Sequence, residues 1–221
     1  MAGAFTHFII CDAAKRKNEI VDYEFKKLLN RHTEFLFLGA VSPDLPYLSF
    51  KMGSTNWADL MHYKHTNGIA LMGHGALRNV WSNAEESNKA KLAWLMGYVA
   101  HVVADVTIHP IVQETVGLYE DHKEEHRICE MTQDSIIYRE RKNAEVRYGE
   151  FSSAVRFCKN SPYFGGVMDF WAEHAAQVYS AHTQETPMTR LWFTTYTSAL
   201  DAAEGGSGVV AVFKGTNGGH L

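Results

Sequence analysis

The sequence has few cysteines, and neither sign of charge dominates it. Its three cysteines, Cys11, Cys129 and Cys158, are odd in number and widely spaced, so they predict neither a disulfide framework nor a zinc site built from cysteine pairs. A formal net charge of -4 over 221 residues gives no electrostatic reason to bind a long polyanion such as nucleic acid. What remains is an ordinary globular composition, with 46% hydrophobic and 21% charged residues.

Long hydrophobic runs are also missing. The N-terminus has no basic leader and only the short apolar run FIIC, whereas a secretory signal requires a longer apolar stretch. The most apolar segment, residues 92–108, contains a histidine and an aspartate, and a membrane span needs about 20 apolar residues without charges. We therefore expect a soluble protein without a transmembrane segment, located in the cytoplasm.

Helical periodicity covers nearly the whole chain, and no run of alternating strand residues interrupts it. Thr6 is predicted to cap the first helix, and a long buried helix is predicted over about 87–108, ending near Pro110. The prolines and the glycine in SPDLPYLSFKMGSTNW predict a loop. We expect one compact, multi-helix, all-α domain over residues 1–221, with a loose glycine-rich tail at about 205–221.

Histidine is unusually abundant, with 12 residues, most of them in the first 126 positions and often beside an acid. In HVVADVTIHP, His101, Asp105 and His109 follow at four-residue intervals on nearly one face of the predicted buried helix. A rise of about 1.5 Å per residue separates neighbours in this series by about 6 Å, whereas a zinc–ligand bond measures about 2 Å. His101 and Asp105 can therefore reach one metal ion, while His109 fits a second ion better. Asp105 has the two oxygens needed to bridge two ions.

The same helix also fits an interpretation without metal. His101 would then pair with Asp105 or with an arginine of a neighbouring helix, and His109 would satisfy carbonyl groups at the helix end. A second segment, DHKEEHRICE, favours the metal, because His126 and Glu130 are again four residues apart and would complete a site with His109. The alternative for this segment is a solvated polar helix face.

Further candidate ligands lie upstream. Asp44 sits in a rigid turn directly after an apolar run, where it is aimed into a cleft or bonds local backbone amides. His62 and His65 lie one turn apart in NWADLMHYKHT, and their spacing does not separate them as ligands. His7 follows the predicted cap and precedes an apolar run, so it is a further ligand or a partly buried histidine of the first helix.

These elements, in this order, resemble the zinc-dependent phospholipase C family, which shares an all-helical fold with the zinc-dependent single-strand nucleases. The resemblance rests on FTHFII, FLFLGAVSPDLPYL, WADLMHY, GYVAHVVADVTIHP and HRICE, which together span about residues 4–134. It implies a zinc cluster between central helices. The ligands that it implies are Asp44, His62, His101 and Asp105 on one ion, His7 with Asp105 on a second, and His109, His126 and Glu130 on a third.

The chain departs from the secreted members of the family in two places. Their second ion also takes the amine and carbonyl of an N-terminal tryptophan, whereas this sequence begins with Met1 and AGAFT. The step from Asp105 to His109 is also shorter than in those enzymes. The expected cofactor is therefore zinc, with two or three ions.

The resemblance implies a hydrolase, a phospholipase C or phosphodiesterase that cleaves a phospholipid or another small phosphodiester with a metal-activated water. Asp44 is implied as the general base as well as a ligand. Trp57 or Tyr63 would line the cleft, unless these aromatic side chains belong to the core. Two alternatives stay open: a nuclease or nucleotide phosphodiesterase on the same cluster, and a non-catalytic metal-binding protein with an incomplete cluster.

Overall fold

The structure is a computed structural model that describes residues 3–17, 22–49, 51–78, 85–144 and 151–205. Within these residues the chain forms ten α-helices and no strand, which confirms the predicted all-α fold. The predicted tail lies, from residue 206 onward, outside the described residues. The helices are α1 (Ala4–Arg16), α2 (Tyr23–Arg31), α3 (Thr33–Val41), α4 (Ser54–Tyr63), α5 (Gly68–Arg78), α6 (Glu86–Val116), α7 (Lys123–Lys142), α8 (Phe151–Phe157), α9 (Phe164–Val178) and α10 (Thr189–Gly205), with 3₁₀ helices at Ser42–Leu48 and Cys158–Asn160.

Helices α3 and α6 make the most extensive contact and form the centre of the fold. Helix α3 is apolar on all sides, which is typical of a helix enclosed by a core, and its residues from Phe35 to Val41 are all buried. Two glycines let the backbones meet. A Cβ atom at Gly39 would collide with the carbonyl oxygen of Trp94, and one at Gly97 would collide with the carbonyl oxygen of Leu36. The two helices therefore cross without side chains between them.

The prediction that the long helix ends near Pro110 is wrong. Helix α6 continues to Val116 and ends at Gly117, which adopts the positive φ of 96° that glycine tolerates best. Proline has no N–H group, so the carbonyl of Val106 lacks its helical hydrogen bond at Pro110. Both residues are exposed, so water can replace the missing hydrogen bond. By length and composition α6 would also suit a membrane span, a criterion that core helices of soluble proteins meet as well.

The predicted cap of the first helix is also wrong. Helix α1 begins at Ala4, and its N-cap residue Gly3 makes no side-chain cap bond. The cap comes instead from Asp134 in α7, whose carboxylate accepts hydrogen bonds from the backbone N–H groups of Phe5 (3.2 Å) and Thr6 (2.8 Å). Thr6 Oγ1 also donates to Asp134, at 2.7 Å. The residue that satisfies this helix end is distant in sequence, so no local signal could reveal it.

The segment after α3, predicted to be a loop, is partly helical, because Ser42–Leu48 forms a 3₁₀ helix. Two hydrogen bonds of Ser42 hold the start of this 3₁₀ helix. The Ser42 hydroxyl donates to the carbonyl of Leu38 at 2.8 Å and accepts from the Trp94 indole N–H at 2.9 Å. Asp44 is therefore carried by a segment that is tied to both central helices.

An aromatic core lies between α4, α9 and α10. Trp57 is 2% exposed, and its ring centroid lies 6.2 Å from that of Tyr179 and 6.1 Å from that of Trp192. The structure thus favours the core alternative for Trp57. Tyr63, the other aromatic residue predicted to line the cleft, is 46% exposed.

Candidate metal centre

Side chains from four elements meet beside the α3–α6 crossing. Helix α1 contributes His7, the 3₁₀ helix contributes Asp44, α4 contributes His62, and α6 contributes His101 and Asp105. Their potential ligand atoms form two overlapping groups, each with all atoms within 4.8 Å of one another: His7, His101 and Asp105, and Asp44, His62 and His101. We call these five residues the inner group.

The two central imidazoles of the inner group are oriented by backbone carbonyls. His101 Nδ1 lies 2.8 Å from the carbonyl oxygen of Ala40, and His62 Nδ1 lies 2.8 Å from that of Ala58. Because a carbonyl only accepts, each Nδ1 must donate, and each Nε2 is then the atom left to bind a metal. The two Nε2 atoms lie 3.2 Å apart. Two nitrogen lone pairs at this distance require a proton or a cation between them.

The carboxylates of the inner group approach the same point. Asp44 Oδ1 lies 3.1 Å from His62 Nε2, and Asp105 Oδ2 lies 3.4 Å from His101 Nε2 and 3.6 Å from His62 Nε2. Two ligand atoms bonded at about 2 Å to one tetrahedral ion lie about 3.3 Å apart, so these separations fit shared coordination. Asp105 Oδ1 faces a different ring, His7, at 3.5 Å from its Nε2. Asp105 thus has the arrangement of a bridging carboxylate.

His7 lacks the carbonyl anchor of the other two histidines. Its ring stacks on that of His101 with centroids 4.0 Å apart, and it is 1% exposed. Neither ring nitrogen of His7 has a hydrogen-bond partner within the described part of the chain. A buried polar atom without a hydrogen bond is destabilising, so this ring is a candidate for binding an ion together with His101 and Asp105.

The charges in the inner group are strongly coupled. Burial lowers the pKa of His101, but the carboxylates of Asp44 and Asp105 outweigh it and raise the pKa to about 9. Burial together with the charge of His101 lowers the pKa of His7 to about 3. Burial opposes ionisation of both aspartates, yet the neighbouring histidines hold their pKa values below the usual range. At neutral pH the metal-free group therefore holds two carboxylates and a cationic His101.

The other three predicted ligands, His109, His126 and Glu130, are less closely joined; we call them the outer group. Because α6 continues past Pro110, His109 lies inside the helix, one turn beyond Asp105. Its Nε2 lies 4.0 Å from Asp105 Oδ2 and has no hydrogen-bond partner among the described residues. Among these residues, the outer group does not form a third set of ligand atoms within 4.8 Å.

A hydrogen bond orients His126, and the charges of the inner group affect the pKa of Glu130. His126, 4% exposed, donates from Nε2 to the carbonyl of Gly117 at 2.7 Å, which leaves Nδ1 for a ligand. Burial, together with the charges of Asp44 and Asp105, raises the pKa of Glu130 to about 7, and burial lowers the pKa of His109 to about 4.

Spacing alone left His62 and His65 equivalent, and the structure separates them. His62 lies in the inner group, whereas His65 is exposed, has a φ of 47°, and has its ring 5.6 Å from that of His182. The anchoring carbonyls of Ala40 and Ala58 carry no sequence signal, because any residue supplies a carbonyl. These anchors were therefore not predicted, and Asp134 was not predicted because its partners in α1 are distant in sequence.

Aromatic rings continue outward from the inner group to the outer group. The Tyr47 ring lies 5.4 Å from that of His62, and the Tyr63 ring lies 6.1 Å from that of His62. The Tyr119 ring then connects the two groups, at 6.5 Å from Tyr63 and 5.4 Å from His126. Tyr119 lies in the turn between α6 and α7, where no periodic pattern marked it.

Residues 6–184 match a family model described as zinc dependent phospholipase C. The matched range includes the inner group, the outer group and most of the helices around them. The comparison with curated proteins gave no match, and neither did the comparison with solved structures. The length of the match, the all-α fold and the His/Asp ligand groups agree with one another. The chain belongs to the zinc-dependent phospholipase C family.

Proposed function

We propose that the protein is a phosphodiester hydrolase of the phospholipase C type, which holds two or three zinc ions with the inner and outer groups. The observation that carries this proposal is the pair of Nε2 atoms of His62 and His101, which lie 3.2 Å apart and face the carboxylates of Asp44 and Asp105. Nitrogen and carboxylate ligands of this kind suit zinc.

The assignment of ligands follows the geometry and the family. Asp105, with one oxygen toward His62 and His101 and the other toward His7, would join two ions. The full proposed set is Asp44, His62, His101 and Asp105 on the first ion, His7 and Asp105 on the second, and His109, His126 and Glu130 on the third. Ions in such a cluster acidify water and neutralise the charge on phosphate oxygens.

Asp44 is the proposed general base. Its side chain is 27% exposed, compared with 10% for Asp105 and 1% for His62, so it is the carboxylate of the inner group that solvent and substrate reach most readily. The surrounding histidines hold its pKa below the usual range, so the carboxylate is ionised at neutral pH; the case for Asp44 as the base rests on its exposure and its place in the inner group.

The proposed substrate is a phospholipid or another small phosphodiester. Tyr63 and Tyr119 lie between the inner group and the outer group, and Tyr63 is 46% exposed to solvent. These rings offer an apolar and aromatic wall to a lipid or to another organic substituent of the phosphate. The formal net charge of -4 disfavours a long nucleic acid, so we place the nuclease alternative second.

A substrate comparison with metal removal tests the proposal. Purified protein would be analysed for zinc and assayed on phosphatidylcholine vesicles, on a soluble choline phosphodiester and on single-stranded DNA, before and after chelation. We expect lipid and choline phosphodiester cleavage that chelation abolishes and added zinc restores.

Two results would contradict this function in different ways. Cleavage of DNA alone would identify a nuclease on the same cluster. Bound zinc without hydrolysis of any of the three substrates would identify a non-catalytic metal-binding protein.

A further inference from the structure

One buried contact joins the helix that carries His7 to the helix that carries the outer group. Asp134 in α7 is 9% exposed and accepts three hydrogen bonds from the first turn of α1, from the N–H groups of Phe5 and Thr6 and from Thr6 Oγ1, at 2.7–3.2 Å. A Cβ atom at Gly3 would overlap the Asp134 carboxylate, so the approach is as close as glycine permits.

This contact lies beside both parts of the proposed cluster. Thr6 directly precedes His7, and Asp134 is one helical turn beyond Glu130 and two turns beyond His126 on α7. The hydrogen bonds from Thr6 therefore determine how the start of α1 sits against the helix that bears two outer ligands.

His7 depends on this placement more than the other inner histidines do. His62 and His101 are each held by a backbone carbonyl at 2.8 Å, whereas His7 has no hydrogen bond from either ring nitrogen within the described residues. Its position is set by stacking on His101 and by where α1 is docked. Metal sites lose affinity when the groups that orient their ligands are removed.

We propose that Asp134 is a positioning residue for the metal cluster, which docks the first turn of α1 so that His7 reaches Asp105. The proposal rests on the proposed function in one respect, since it takes His7 as a metal ligand. Asp134 itself touches neither metal nor substrate; it acts through Thr6 and the helix end.

The chain offers a matched control at the other end of the same helix pair. Asp12 is also 9% exposed and also joins α1 to α7, through Lys142 Nζ at 3.0 Å. It lies more than one turn from His7, on the far side from Thr6. Loss of Asp12 should loosen the helix pair without moving the first turn of α1.

The experiment is a titration of metal-free protein with cobalt, a spectroscopic substitute for zinc, and with zinc by calorimetry. The variants are Asp134→Ala, Thr6→Val, Asp12→Asn and the reference His7→Ala. We expect His7→Ala to lose one ion and Asp134→Ala to bind that same ion about 10- to 100-fold more weakly, with the cobalt spectrum of every other bound ion unchanged. Thr6→Val should weaken it a few-fold, and Asp12→Asn should lower the melting temperature while leaving affinity for this ion as in wild type.

Three results would overturn the proposal. Wild-type affinity in both Asp134→Ala and Thr6→Val, when His7→Ala has lost an ion, would show that Asp134 does not position His7. Equal weakening in Asp134→Ala and Asp12→Asn would show a general effect of helix docking. If His7→Ala keeps every ion, His7 is not a metal ligand and the proposal fails. The proposed function is then tested separately, by whether His62 and His101 still bind zinc. If Asp134→Ala does not fold, the Thr6→Val and Asp12→Asn pair decides.

Discussion

The inner and outer groups differ in how firmly the fold holds them. The inner histidines His62 and His101 point their Nε2 atoms at each other because the carbonyls of Ala58 and Ala40 fix their other nitrogens. Those carbonyls belong to buried residues, and Ala40 lies in α3, whose backbone contacts α6 directly. In the outer group the carbonyl of Gly117, at the end of α6, holds His126, but among the described residues the ligand atoms of the three members do not all come within 4.8 Å of one another. We therefore expect the ligand atoms of His62 and His101 to be in place before a metal binds, and the outer ligands to be drawn together by the ion.

The largest effect should follow the loss of Asp105. Asp105→Asn keeps the size of the side chain but removes the charge that faces the three histidines of the inner group, so we expect the inner zinc ions to be lost. Activity should fall by at least about 10³-fold, the equivalent of about 4 kcal/mol of transition-state stabilisation. Elemental analysis and a phosphodiesterase assay measure both. Asp169→Asn, at a surface carboxylate paired with Arg190, is the control that should change neither.

The backbone crossing offers a second way to break the inner group. Gly97→Ala would drive a methyl group into the carbonyl of Leu36, and we expect a loss of stability of about 1–3 kcal/mol or more, together with weaker inner zinc binding. Gly75→Ala is the matched control in α5, because a Cβ there meets nothing within 4 Å. It should stabilise the helix by about 0.5–1 kcal/mol. Thermal unfolding compares the two, and equal melting temperatures would contradict the described crossing.

Removal of His109 should have a smaller effect than removal of Asp105. His109→Ala takes one ligand from the outer group, and we expect the loss of at most one ion and a decrease in activity of about 10- to 100-fold. The inner ions should remain. Metal content that falls to zero in His109→Ala would show that the two groups form a single unit rather than two halves of unequal rigidity.

The smallest and most specific difference is in proton release at pH 8. A histidine must be neutral to bind metal. Despite burial, the nearby carboxylates raise the pKa of His101 to about 9, so its proton is still bound at pH 8 and must leave when inner zinc binds. Burial lowers the pKa of His109 to about 4, so this ring is already neutral. Inner zinc affinity should therefore rise with pH up to about 9.

Calorimetry in two buffers of different ionisation enthalpy checks this prediction. We expect about one proton released for the first zinc bound and fewer for the last, since the pKa of Glu130 is raised only to about 7. Equal proton release for the first and the last zinc ion would contradict the electrostatic difference between the inner and outer groups.

Sequence spacing was sufficient for the helical fold and for the pairing of His101 with Asp105, because a helix converts a four-residue step into a shared face. It could not choose between His62 and His65, since that choice depends on how α4 packs against the 3₁₀ helix. It placed the end of α6 too early, because the exposed side of a helix tolerates proline where water reaches the freed carbonyl. It could not find Asp134, because its partners in α1 are distant in the chain, or the anchoring carbonyls, because every residue has one. Local sequence patterns predict the helices, whereas the packing of the helices decides which side chains come into contact.

The account depends most on a cation shared by His62, His101, Asp44 and Asp105. Anomalous diffraction at the zinc edge, from crystals of protein purified without chelator, tests it most directly. We predict an anomalous peak about 2.0–2.1 Å from the Nε2 atoms of both His62 and His101, and about 2.0–2.2 Å from an oxygen of Asp105. A zinc-loaded crystal with its peak elsewhere, and with water or a guanidinium group between the two Nε2 atoms, would contradict the account.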